Sequence, residues 1–219
     1  MAVDRRLLRE QVRDEILNRL LKGTFPVGSR INEVQLAAEI GVSRTPLREA
    51  LASLAQEGIL DARPNRGYWV SALSEREIRE TYPIIAQLEV LALRLSDAEE
   101  LARSAPRLIE LAENMTACAD TPSVLQADDE WHAALLAACP NRRLLDMIGD
   151  TKRIVHRYEF AYLGNALSVR ESVDQHKRIA AALGEQDLET ACDVLESNWT
   201  TSMYRLITRI TGSEEADGD

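Results

Sequence analysis

The sequence predicts a mainly α chain in two parts: an N-terminal winged helix-turn-helix with a small β-wing, then an all-α antiparallel helical bundle. Three observations predict it. Residues 32–58, NEVQLAAEIGVSRTPLREALASLAQEG, carry two helical apolar patterns separated by a sharp turn at Gly41-Val42-Ser43. Two short strand-like runs, ILDAR and GYWVSAL, flank the turn residues Pro64-Asn65-Arg66-Gly67. From Ser74 onward every long segment has a helical period and none has a strand signal.

The elements follow in order. Leu8, Val12, Ile16 and Leu20 recur at four-residue steps in 5–22, one apolar stripe of an amphipathic helix. Gly23 ends it, and TFPVGSRI, with Pro26 and Gly28 as breakers, reads as a short extended connector. In the second helix of the helix-turn-helix, Leu47, Leu51 and Leu54 form the stripe to be buried, while Arg44, Thr45 and Arg48 occupy another face. Pro46 falls near the helix start, where backbone N–H groups lack intrahelical partners; Ser43 or Thr45 is the cap. Ser74 and Glu77 form a capping box opening a helix through about Leu95. Further helices are expected over 97–118, 122–138, 141–163, 168–184 and 187–211, broken at Asp120-Thr121-Pro122, Pro140, Gly164 and Gly184-Glu185. Short connections between six helices give a bundle. The expected domains are 1–73 and 74–212, with 213–219 a disordered tail.

Charge divides the same way. Residues 1–72 carry 11 Lys/Arg against 9 Asp/Glu, whereas the remaining residues carry 15 against 27, so the net −10 hides a slightly basic first third. No stretch approaches the 18 apolar residues of a membrane span, and the charged start does not resemble a secretory signal. Cys118, Cys139 and Cys192 are widely spaced and odd in number, which reads as buried thiols of a reducing cytoplasm.

A helix that buries leucines behind and offers Arg44 and Arg48 one turn apart in front suits the major groove. Guanidinium forks there grip phosphates or the O6/N7 edge of guanine. The string GVSRTPLREAL, with LAQEGIL and the wing PNRGYWV, closely resembles the GntR family of bacterial transcription regulators. The helical remainder is similar to the ligand-binding domain of its FadR-type, or FCD, subgroup. That resemblance implies a homodimer, operator DNA with two inverted half-sites, and a small-molecule effector that alters DNA affinity. By the same resemblance Ser43, Arg44, Thr45 and Arg48, with Asn65, Arg66 and Gly67 at the wing tip, are the DNA-contacting positions.

All three histidines lie in the helical part. Asp128 and His132 share an apolar stripe with Leu125, Leu135 and Cys139. His176 shares one with Val173 and Ala180, and Asn198 lies on one with Leu195 and Ser202. Polar groups on buried stripes need partners. Asp128 and His132, four residues apart on a helix, suit two ligands converging on one ion. The FCD resemblance implies a divalent metal (zinc, nickel or manganese) held by an Asp-x-x-x-His pair and two later histidines. Asp128, His132 and His176 match three of those positions, and Asn198 replaces the fourth, a weaker and harder donor. A metal-free effector pocket and a purely structural polar cluster are the alternatives. Many relatives also carry an arginine for a carboxylate effector where this chain has Ile85, although Glu89 stays in register. An acidic effector then calls on Arg153 or Arg157, while Tyr82, Trp131, Tyr158 and Tyr162 offer an aromatic pocket instead. His156, isolated between Arg153 and Arg157, reads as a surface or pocket-rim residue.

Two other functions compete. A metal-dependent hydrolase would use the Asp/His/His cluster with Glu130 or Glu159 as base, but no HExxH, nucleophile elbow or phosphate loop is present. Glu130 also lies about 200° around its helix from Asp128. A DNA-binding protein without effector control would have no use for inward polar residues. The expectation is a cytoplasmic, effector-controlled repressor that is not an enzyme.

Overall fold

Apolar residues at helical spacing in the first segment become α1 (Arg5–Leu21), which buries Val12, Ile16 and Leu17 while Leu8 and Leu20 are half-buried. The computed structural model describes residues 5–21, 24–26, 28–71, 74–118, 120–162 and 166–214. Gly23 and Gly164, expected as breakers, and residues 215–219 of the expected tail lie outside the described residues. The described residues divide between two compact units, Met1–Ser74 and Glu75–Asp219.

In the first unit α2 (Glu33–Ile40) starts where the Asn32 side chain accepts from the Val34 and Gln35 amides, each at 3.2 Å. It ends at Gly41, whose φ of 78° is left-handed and free of steric penalty only without a Cβ. α3 (Arg44–Gln56) buries Leu47, Ala50, Leu51 and Leu54 completely and packs on α1. Ser43 occupies its N-cap position in extended conformation but makes no side-chain capping bond. β1 (Leu60–Arg63) and β2 (Gly67–Val70) pair antiparallel, Leu60 opposite Val70 and Arg63 opposite Gly67. The turn between them puts Asn65 at φ 59° and Gly67 at φ 85°.

The connector before α2 is more than a link. Ile31 N donates to Tyr68 O at 2.9 Å, and Val70 N to Ser29 O at 2.9 Å, so residues 28–31 run along the free edge of β2. The pairing satisfies wing backbone groups that would otherwise face solvent.

The second unit is a six-helix bundle: α4 (Glu75–Leu95), α5 (Ala98–Met115), α6 (Thr121–Leu135), α7 (Arg142–Tyr162), α8 (Ala166–Gly184) and α9 (Leu188–Glu214). Asp97 and Asp120 cap α5 and α6 through the Glu100 and Ser123 amides at 3.0 and 2.8 Å. α5 lies between α6 and α8, and α4 between α7 and α9. α6 stops three residues before the expected 138 because the chain tightens into consecutive turns ahead of Pro140. α9 runs on to Glu214, past the expected 211. Cys139 and Cys192 are buried free thiols and Cys118 is half-buried.

Leu51 is fully enclosed between α3 and its neighbours. Leu51→Ala is expected to lower stability by about 2–5 kcal/mol, read from denaturant unfolding.

Candidate nucleic-acid interface and polar cavity

Several exposed polar residues of the first unit lie at the N-terminal end of α3 and at the wing tip. Ser43, Arg44, Thr45 and Arg48 are exposed, as are Asn65 and Arg66 at the wing tip; Gly67 is half-buried beside them. Arg63 lies over the Trp69 ring, its guanidinium carbon 4.1 Å from the centroid, which stiffens the wing behind its tip. Glu33, the first residue of α2, reaches toward both helix arginines: its Oε2 is 3.8 Å from Arg44 Nη2 and 3.5 Å from Arg48 Nε. Sequence reading overlooked Glu33, because a polar residue in a first helical turn carries no periodic signal.

In the second unit the three inward residues meet. One ligand atom from each of Asp128, His132 and His176 lies within 4.8 Å of the others. Both His132 Nε2 and His176 Nε2 stand 3.7 Å from an Asp128 oxygen. That is too long for a hydrogen bond. The two distances run to different carboxylate oxygens, and each is a few tenths of an ångström above the roughly 3.4 Å between two ligands about 2.1 Å from one tetrahedral ion. Both ring nitrogens of His176 are buried without a hydrogen-bond partner. Leaving such atoms bare costs free energy, and a cation between Nε2 and Asp128 would use one of them. The residues present therefore fit a metal ion.

The surrounding residues set the protonation states. Glu89 is fully buried, and its Oε2 accepts from His132 Nδ1 and from Trp199 Nε1, both at 2.8 Å. With Nδ1 donating to the Glu89 carboxylate, Nε2 is the His132 ring nitrogen on the Asp128 side. Burial pushes the Glu89 carboxyl up, but the attraction and hydrogen bond of His132, with the Lys152 charge and the Trp199 hydrogen bond, outweigh it and hold the group below its ordinary value. Burial, with the neighbouring His132 and Lys152, pushes the His176 imidazole well down, so it stays neutral and able to ligate. His176 stacks flat on Trp131, centroids 3.7 Å apart and planes 6° from parallel. The Trp131 indole donates to Leu108 O at 3.0 Å.

Beside this cluster lies a cavity of about 30 Å³, room for an ion and a water or two. Asp128, His132 and Asn198 face it, with Glu159, Ser202 and Arg205. Asn198 is buried and donates through Nδ2 to Gln175 Oε1 at 2.8 Å, which leaves its amide oxygen for other partners. Burial, then the Asp128 charge, raises Glu159 to about 7.

None of Tyr82, Glu89, Arg153, Arg157 and Tyr158, expected at an effector pocket, lines this cavity. Arg153 is on the exposed side of α7, paired with Asp150 one turn away. Arg157 and Tyr158 both donate to Glu77 of α4. Tyr82 is core, set edge-on to Trp199 at 5.9 Å. The side chain of Tyr162 lies outside the described residues. The arginine that does face the cavity is Arg205 on α9, also paired with Glu171. Sequence reading missed it because no apolar stripe flags a residue at a cavity mouth. His156 is no isolated rim residue: its Nε2 lies 2.7 Å from Asp129 Oδ1, while Lys152 Nζ lies 3.0 Å from the same oxygen. Burial alone would raise Asp129, but these two cations outweigh it and hold it at about 2.

Comparison with known proteins bears on both units. Residues 8–70 match the bacterial regulatory proteins of the gntR family and residues 80–200 match the FCD domain. The chain is 36% identical over 166 residues to the Nta operon transcriptional regulator of Aminobacter aminovorans, covering 74% of this chain and 77% of that protein. It is 30% identical over 203 residues to the "Probable D-xylose utilization operon transcriptional repressor" of Paenarthrobacter nicotinovorans, covering 87% and 86%. Among solved structures, E. coli McbR/YncC shares the fold with a TM-score of 0.64 at 22% identity, over 93% of this chain and 98% of that one. No described helix is long and apolar enough to cross a membrane. A winged helix-turn-helix matching one family model, followed by a bundle matching the other, makes this chain a transcriptional regulator of the GntR family, FCD subgroup, and not an enzyme.

Proposed function

We propose that the chain is an effector-controlled repressor that binds operator DNA as a homodimer, one first unit to each inverted half-site. Ser43, Arg44, Thr45 and Arg48 enter the major groove; Asn65, Arg66 and Gly67 bring the wing to the neighbouring backbone or minor groove. The exposure of both arginines at one end of α3 supports this, as does the repressor name of the D-xylose relative. Half-sites about one helical turn apart present both recognition helices to one face of the duplex.

The second unit binds a divalent cation (zinc, nickel or manganese) through Asp128, His132 and His176, with the Asn198 amide oxygen in the fourth place. The observation that carries this is the partnerless, buried, neutral His176 facing Asp128. When bound, the ion supplies a positive centre to which a small effector with oxygen donors attaches. Arg205 and Ser202 stand on the cavity wall to receive the rest of such a molecule. Effector binding changes operator affinity through a coupling of about 1–3 kcal/mol, roughly 5- to 150-fold.

Three outcomes are expected. Arg48→Ala weakens specific duplex binding by about 1–3 kcal/mol, measured by gel-shift titration at fixed salt; unchanged affinity would remove Arg48 from the reading. Divalent cation at a hundredfold excess over its Kd stabilises the wild type by about 2.7 kcal/mol, and the gain disappears in Asp128→Ala, read by thermal unfolding beside elemental analysis. Glu89→Gln keeps the ligands but loosens the His132 tautomer, lowering metal affinity about 10- to 100-fold in a competitive chelator titration.

A further inference from the structure

Glu33 is an anomaly on a surface meant for polyanionic DNA. Its side chain is only 13% exposed and its Oε2 atom has no hydrogen-bond partner. It stands where three elements meet. Arg44 Nη2 and Arg48 Nε of α3 approach Oε2 to 3.8 and 3.5 Å. On the wing side, a Cβ on Gly67 would come within 3.2 Å of Glu33 Oε1 and 3.7 Å of the Arg30 guanidinium. Gly67 thus serves twice: its φ of 85° turns the wing, and its missing side chain leaves the carboxylate its seat.

Stability does not explain the arrangement. Ion pairs this long, whose arginines are more than half exposed, contribute little to folding. A negative charge beside phosphates also works against duplex binding in general. What the geometry does achieve is orientation. Glu33 Oε2 lies 3.5 Å from Arg48 Nε, so the carboxylate restrains the inner end of a guanidinium whose terminal nitrogens can meet an acceptor pair such as guanine O6 and N7. Without the tether the same guanidinium is free to swing to any phosphate.

We propose that Glu33 is a positioning residue for sequence discrimination: it holds the Arg48 and Arg44 side chains toward base edges and, by its charge, penalises the phosphate-bound alternative. This rests on the operator-binding reading. It adds that selectivity and overall affinity are set by opposing charges at one point.

The test uses the full-length protein and two duplexes of equal length, one enriched by the wild type from a randomised pool and one shuffled. Fluorescence anisotropy over a range of salt concentrations gives both affinities. For Glu33→Gln the enriched duplex is expected to bind about tenfold more weakly. The shuffled duplex should bind as tightly or more tightly, with a salt slope steeper by about one unit as a freed arginine takes a phosphate. Glu33→Asp, which keeps the charge but is one methylene too short, should lose discrimination without gaining shuffled-duplex affinity. It decides the matter if a melting curve shows Glu33→Gln misfolded. Equal changes on both duplexes, or wild-type discrimination in both variants, would overturn the proposal. A wild type that enriches no sequence overturns the operator-binding reading itself, and this inference with it.

Discussion

The polar interior of the bundle depends on one buried carboxylate. Glu89 of α4 receives the imidazole of His132 on α6 and the indole of Trp199 on α9 at one oxygen, so a single side chain ties three helices. A lone buried charge is strongly unfavourable, and removing one partner of such a pair costs about 3–5 kcal/mol. The charge is kept because His132 and Lys152 lie close enough to outweigh desolvation. Helix packing and ligand orientation are therefore one problem with one solution: whatever holds α4, α6 and α9 together also fixes which nitrogen of His132 faces Asp128.

Around that anchor the acidic groups are treated unequally. Asp129 is stabilised as an anion by His156 and Lys152, whereas burial raises Asp128 and Glu159 on the cavity side. The negative charge is thus held by cations at Asp129, while at Asp128 and Glu159 burial disfavours it. A second-unit charge that looked in the sequence like simple acidity is locally divided into a favoured half and a disfavoured half.

Much of this was legible in the residues. Val12, Ile16, Leu47, Leu51 and Leu54 are buried because helical spacing put them on one face. The meeting of Asp128, His132 and His176 followed from polar residues sitting on apolar stripes. What sequence could not give was decided by packing between elements. The 28–31 connector joins β2 through backbone groups, which no side-chain pattern advertises. The rotation of α7 about its axis puts Arg153 on the outer face, and α9 brings Arg205 to the cavity wall. Glu89 was in register as a pocket residue; that its oxygen serves two aromatic donors instead depends on three helices at once.

The flat stack of His176 on Trp131 has a practical side. Of the chain's three tryptophans, Trp131 lies face to face with one imidazole of the cluster, and Trp199 sits 5.0 Å from the other. Indole emission responds to the charge of an adjacent ring, so two of the three tryptophans are placed to report on the cluster. An ion bound there as proposed would be followed by ultraviolet light alone, in the unlabelled protein.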